Sequence, residues 1–147
     1  MTTDTSRPTY QDVDLILRLY EMRREARMRE ARRWFAAYFK VKTVDEFNAT
    51  CPPGSEPNAS FRMLMTYWDM VASFVTSGVL NQELFFQSSR EIYFVWLRVM
   101  DVLPGLRKAF SGAIDLRNLE TVATAYGEWW ERSWPGAPEA YAKRVRG

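Results

Sequence analysis

Histidine is missing from the 147-residue sequence, and cysteine occurs once, as Cys51. The first absence removes the usual general base near neutral pH and the commonest transition-metal ligand. With it go the serine–histidine and cysteine–histidine hydrolases. The second leaves too few thiolates for a zinc or iron–sulfur site and no partner for an internal disulfide. Glycine and proline number seven each, few enough to leave long stretches without a helix breaker. No apolar run approaches the roughly 20 residues of a membrane span. The first residues lack the basic-then-apolar pattern of a signal peptide, so a cytoplasmic location is expected.

What is present is apolar and aromatic. Hydrophobic residues make up 47% of the chain and aromatics 15%, far from the composition of disorder, and the length suits one domain with one core. The net charge of +2 hides an uneven distribution. Residues 18–42 carry nine Lys and Arg against three acids, whereas residues 43–106 carry three against seven. The simplest use of that asymmetry is internal, with the basic first helix beside acidic positions of the middle helices. The sharper reading is a surface for an external anion.

Residues 1–9, with Pro8 among them, read as an unstructured lead-in. From Tyr10 to Val41 there is neither Gly nor Pro, which predicts one long helix with Asp12 and Asp14 in its first turn. Its apolar stripe runs Leu17, Tyr20, Met28, Ala31, Phe35, Tyr38, with Arg24 standing at the gap. Thr43 and Glu46 have capping-box spacing for a short helix through Thr50. Cys51-Pro52-Pro53-Gly54 ends that helix and opens a loop. The next helix, 59–77, capped by Asn58 or Ser60, has only a thin polar stripe of Arg62, Thr66, Asp69, Ser73 and Thr76 and is therefore expected at the centre of the bundle. Gly78 suits its left-handed cap. A fourth helix is expected over 82–103 ending at Pro104-Gly105, then a short segment 106–110. A last long helix from Asp115 stops at Pro135-Gly136, a terminal turn spans 138–145, and the tail with Lys143, Arg144 and Arg146 is expected to fray. The expected fold is all-α, a single bundle of four main helices with short connecting helices over residues 10–147.

The arginine-rich first helix, the turn Ser77-Gly78-Val79-Leu80-Asn81-Gln82-Glu83-Leu84 and the Trp96-bearing helix closing on Leu103-Pro104-Gly105 resemble a group of small bacterial helical proteins classed as a domain of unknown function. The resemblance covers roughly residues 12–110. It implies the helical fold and a bacterial origin and supplies no activity.

Between Glu21 and Arg33 lie six arginines and three glutamates. Helical spacing pairs Glu21 with Arg24, Glu25 with Arg29, Arg27 with Glu30, and Glu30 with Arg33, each pair being worth about 0.2–0.5 kcal/mol. Arg23, Arg27 and Arg32 are less well paired and stand as interface candidates. Arg24 interrupts the apolar stripe, and a buried arginine requires a partner. Asp69, Glu91 and Asp101 are the candidates, and an ion pair fixing helix register is the first expectation. Arg24, Arg62 and Asp69 together form the candidate pocket for a small carboxylate or phosphate. The carboxylates do not follow the Glu-x-x-His pattern of di-metal bundles, so neither metal nor cofactor is expected.

The six tryptophans read mainly as core. Trp129 and Trp130 project about 100° apart on a helix; plain core packing is the first expectation, and an exposed Trp beside Trp134 is the alternative. With Trp134 they are the second set of interface candidates. Cys51, in a loop, is expected to be an incidental thiol. The reading that follows is a non-enzymatic protein-interaction or self-associating module. The alternative is a ligand-binding bundle with an aromatic-lined polar pocket. Weak nucleic-acid binding through the arginine-rich helix stands third, since interleaved glutamates repel phosphates.

Overall fold

The computed structural model describes residues 7–147. Among them are nine helices and no strand: α1 Tyr10–Arg24, α2 Ala26–Tyr38, α3 Val44–Thr50, α4 Glu56–Thr76, α5 Gln82–Phe86, α6 Glu91–Val99, α7 Leu103–Ala109, α8 Arg117–Ser133 and α9 Ala137–Arg146. The expected lead-in lies outside the described residues up to residue 6. Its last residue, Thr9, is already structural. Its hydroxyl accepts the Asp12 N–H at 3.2 Å while the Asp12 carboxylate accepts the Thr9 N–H at 2.7 Å, a reciprocal N-terminal cap.

α4 is the axis, as its thin polar stripe predicts. Nine of its 21 residues are buried, and it packs on both α2 and α8. Phe35, Phe39, Phe61 and Phe47 form a chain of ring contacts with centroids 4.8, 5.2 and 4.9 Å apart. Ser55 caps α4 by accepting the Asn58 N–H, in place of the expected Asn58 or Ser60. Asn58 instead donates to the Cys51 carbonyl.

Two helices expected to be continuous are broken. The first stops at Glu25, whose backbone is extended (φ −60°, ψ 141°) and whose carboxylate accepts the N–H groups of Arg27 and Met28, both at 3.1 Å. Those bonds hold its pKa below the ordinary carboxylate value. No Gly or Pro marks this break; a carboxylate satisfying orphan donors makes it. The second, expected over 82–103, divides into α5 and α6, and the short segment expected at 106–110 starts earlier as α7, with Pro104 in its first turn where it was expected to close the preceding helix. Proline suits a first turn, where its missing N–H costs nothing. Gly105 keeps α7 against α3, because a Cβ there would lie 2.7 Å from Val44 Cγ2.

α8 begins at Arg117 after Leu116 in the left-handed region (φ 53°) and has no cap of its own. Asp69 of α4 supplies one, its Oδ1 accepting the Leu119 N–H at 3.0 Å. The tail expected to fray is helical in α9, where Arg146 grips Asp101 at 2.6 and 2.8 Å.

Candidate interaction surfaces

The arginine-rich stretch uses its charges between helices. None of the four expected intrahelical pairs forms among the described residues. Arg27 instead pairs with Glu56 at 2.9 Å and donates to the buried Ser60 hydroxyl at 3.2 Å. Arg32 pairs with Glu91 at 2.9 Å and donates to the Arg23 carbonyl at 3.2 Å, tying α1, α2 and α6 together. Arg23 spreads its guanidinium 5.6 Å from the Tyr20 ring and 5.2 Å from the Trp68 ring. All three interface candidates of this set are thus engaged within the fold, and two of them meet acids of the middle helices, as the charge asymmetry implied.

Arg24 is a correction. It is exposed and rests 5.6 Å from the Tyr20 ring. The break at Glu25 ends the continuous stripe that would have carried it inward, and its expected partners are occupied: Asp69 by Leu119, Glu91 by Arg32, Asp101 by Arg146. The three-residue pocket therefore does not assemble. Arg62 and Asp69 do line one groove, of about 780 Å³, between α4 and the segment 113–116. Met63, Met65, Met70 and Ile114 make its walls apolar. The Arg62 Nε donates to Asn58 Oδ1 at 2.9 Å.

The same break turns the outer side of α1 to solvent. Only Asp12 and Leu19 of that helix are buried. Tyr10 (89% exposed), Val13 (42%), Leu17 (54%) and Tyr20 (48%) stand open, and their steps of three, four and three residues give the seam of a two-helix coil. Leu17, Tyr20 and Tyr38, expected in the core stripe, are all exposed, while Met28, Ala31 and Phe35 are buried.

At the opposite sequence end the tryptophans divide. Trp130 is buried at 9% exposure and Trp134 is 70% exposed. Trp129 is half-buried, its indole N–H donating to Glu83 Oε2 at 2.7 Å. Trp130 is covered by the Arg90 guanidinium, 4.0 Å from its ring, and by Tyr141 at 5.4 Å. Arg90 also donates to the Tyr126 hydroxyl. This aromatic group is core, with Gly127 admitting the Tyr93 ring at 3.1 Å from a would-be Cβ. Trp134 alone of the three presents an open face.

Several further anchors depend on tertiary contacts that no local spacing marks. The Asp12 carboxylate, buried, accepts the Asn81 N–H at 2.9 Å. The Tyr67 hydroxyl donates to the Leu19 carbonyl at 2.6 Å, and burial pushes its pKa up to about 12. Arg98 donates to the carbonyls of Ala36, Phe39 and Val145. Cys51, expected in an open loop, is 1% exposed, and burial pushes its pKa up to about 11, which suppresses the thiolate.

Fold and surfaces together define an all-α domain built on one central helix, with cross-helix arginine links and one helix left half-covered. The chain belongs to the family described as Domain of unknown function (DUF4760), which matches residues 8–129. That span covers α1 to most of α8 and leaves α9 beyond it. No curated protein and no solved structure matches the chain. No helix of the described residues is long and apolar enough to cross a membrane.

Proposed function

We propose that this chain is a non-enzymatic bacterial interaction module, acting in the cytoplasm, that self-associates through α1. One observation carries the reading: the exposed row Tyr10, Val13, Leu17, Tyr20 on a helix with only two buried residues. A packed helix buries its apolar stripe, and one that leaves a second stripe open at coil spacing is suited to another helix. Arg24 at the end of the row keeps the seam specific, because a cation tolerates only partners that solvate or pair it. A seam this short buries less than the roughly 800 Å² per partner of a standard interface, so the association is weak and depends on concentration. Backbone amide NMR spectra recorded on dilution test it. Shifts concentrated on Tyr10–Arg24 are expected; shifts that cluster on Trp134, or none at all, would reject α1 as the seam.

A second reading, a ligand-binding bundle, is favoured by the Arg62–Asp69 groove and its three methionines, whose flexible side chains fit varied apolar shapes. Thermal shifts with amphipathic carboxylates that vanish in Arg62→Ala would support it; shifts that persist in that variant would remove Arg62 from the site.

A further inference from the structure

Where α2 and α9 end against α6, the fold gathers cations. A recess of about 330 Å³ is lined by Lys40, Lys42, Arg98, Arg144 and Arg146 against one side-chain carboxylate, Asp101, with Gly147 also on its wall. Two of the five cations are already committed. Arg146 is held by Asp101 through two short bonds. Arg98 lies 4.9 Å from the Phe94 ring and spends its donors on the Ala36, Phe39 and Val145 carbonyls, neutralising the negative ends of α2 and α9. Burial holds the Arg98 pKa below its ordinary value, the mark of a poorly hydrated cation.

Lys40, Lys42 and Arg144 are left over. None forms an ion pair among the described residues. Glu46 reaches Lys42 only through its backbone N–H, at 3.4 Å, and Arg144 rests 5.8 Å from the Tyr141 ring. The helix ends here are already neutralised by Arg98, so three further cations exceed what the fold requires. Like charges brought together raise each other's energy unless an anion joins them. The recess matches the small end of ligand clefts, about 300–1,000 Å³, and buried Val41 and Leu97 supply an apolar wall.

We propose that this recess binds a phosphate group, carried by a small soluble molecule or by a lipid headgroup, with Lys40, Lys42 and Arg144 as its ligands. The site is independent of the α1 seam. The full chain is titrated calorimetrically with pyrophosphate at low ionic strength, and separately mixed with phosphatidylcholine vesicles with and without phosphatidic acid. The variant Lys40→Gln/Lys42→Gln/Arg144→Gln removes the three ligands, which are exposed and bear no side-chain hydrogen bond among the described residues. Lys108→Gln/Arg132→Gln removes two exposed cations outside the recess. Pyrophosphate affinity is expected to fall at least about tenfold in the triple variant and to hold in the double one. Sedimentation with phosphatidic acid vesicles that the triple variant loses would assign the headgroup source; pyrophosphate binding without sedimentation would assign the soluble one. Absence of both, or equal losses in the two variants, would overturn the proposal.

Discussion

α4 and α1 are both helices with apolar residues at helical spacing, yet they are held in different ways. α4 buries Phe61, Leu64, Trp68, Val71 and Ala72 to 1% exposure or less, so shape and apolar area fix it. α1 buries only Leu19 and Asp12, packs Leu15 and Ile16 partly against the core, and is tied down at three polar points. Its first turn is tied by Asp12 to Asn81, its middle by the Leu19 carbonyl to Tyr67, and its end by the Arg23 carbonyl to Arg32. A helix fixed by polar links can keep an apolar side open without losing its place. That is the physical reason to assign the scaffold to α4 and the docking surface to α1.

The sharpest way to break the comparison is Trp68→Ala. Trp68 is fully buried, so the cavity is expected to cost about 3–5 kcal/mol in chemical denaturation. A loss under about 1 kcal/mol would deny α4 its central place. Trp68→Phe is expected to cost less, because the indole nitrogen has no hydrogen-bond partner among the described residues and its removal forfeits none.

Asp12→Ala comes next, removing the reciprocal cap and leaving the Asn81 N–H short of its acceptor. The expected loss is about 1–3 kcal/mol, with faster hydrogen exchange confined to Tyr10–Arg24. Exchange that rises equally in α4 would show that α1 is not locally held.

Tyr67→Phe removes the link to the Leu19 carbonyl, at about 1 kcal/mol. It also carries a pH signature. The folded pKa near 12 lies above the ordinary value of 10.0, so the neutral phenol is the form the fold favours. Its contribution is complete below pH 10 and is lost as the pH rises toward 12. Cys51, raised from 9.0 to about 11, adds a loss over an overlapping window that starts lower, so the readout is the difference between wild type and Tyr67→Phe. That difference is expected to shrink from pH 9 to pH 12; a constant difference would remove Tyr67 titration from the account.

The smallest stability effect is expected at the proposed seam. Leu17→Glu lies on the open side of α1 and should change stability by no more than about 0.5 kcal/mol.

The sequence was most legible where a single helix decides the pattern. The thin polar stripe of α4 places it centrally, and Asn81 caps α5 through the Leu84 N–H as its spacing implies. The breaks were illegible because their causes are tertiary. Glu25 halts a breaker-free run when α1 must meet Tyr67 and Asn81, and α8 starts at Arg117 because Asp69, 50 residues earlier, supplies its cap. Arginine count was a poor guide to surface function for the same reason. Arg27 and Arg32 find acids on other helices that no local spacing reveals, whereas Lys40, Lys42 and Arg144 share a recess only because Arg98 of α6 bonds the carbonyls at the ends of both α2 and α9. Of the tryptophans, Trp130 was drawn inward by Arg90 and Tyr141, contacts that adjacency to Trp129 does not encode.

Sedimentation equilibrium of wild type and Leu17→Glu over a wide concentration range tests the division between scaffold and docking surface most directly. The account predicts a reversible monomer–dimer equilibrium for the wild type and a monomer of unchanged stability for the variant. A dimer that survives Leu17→Glu, or a wild type that stays monomeric throughout, would contradict it.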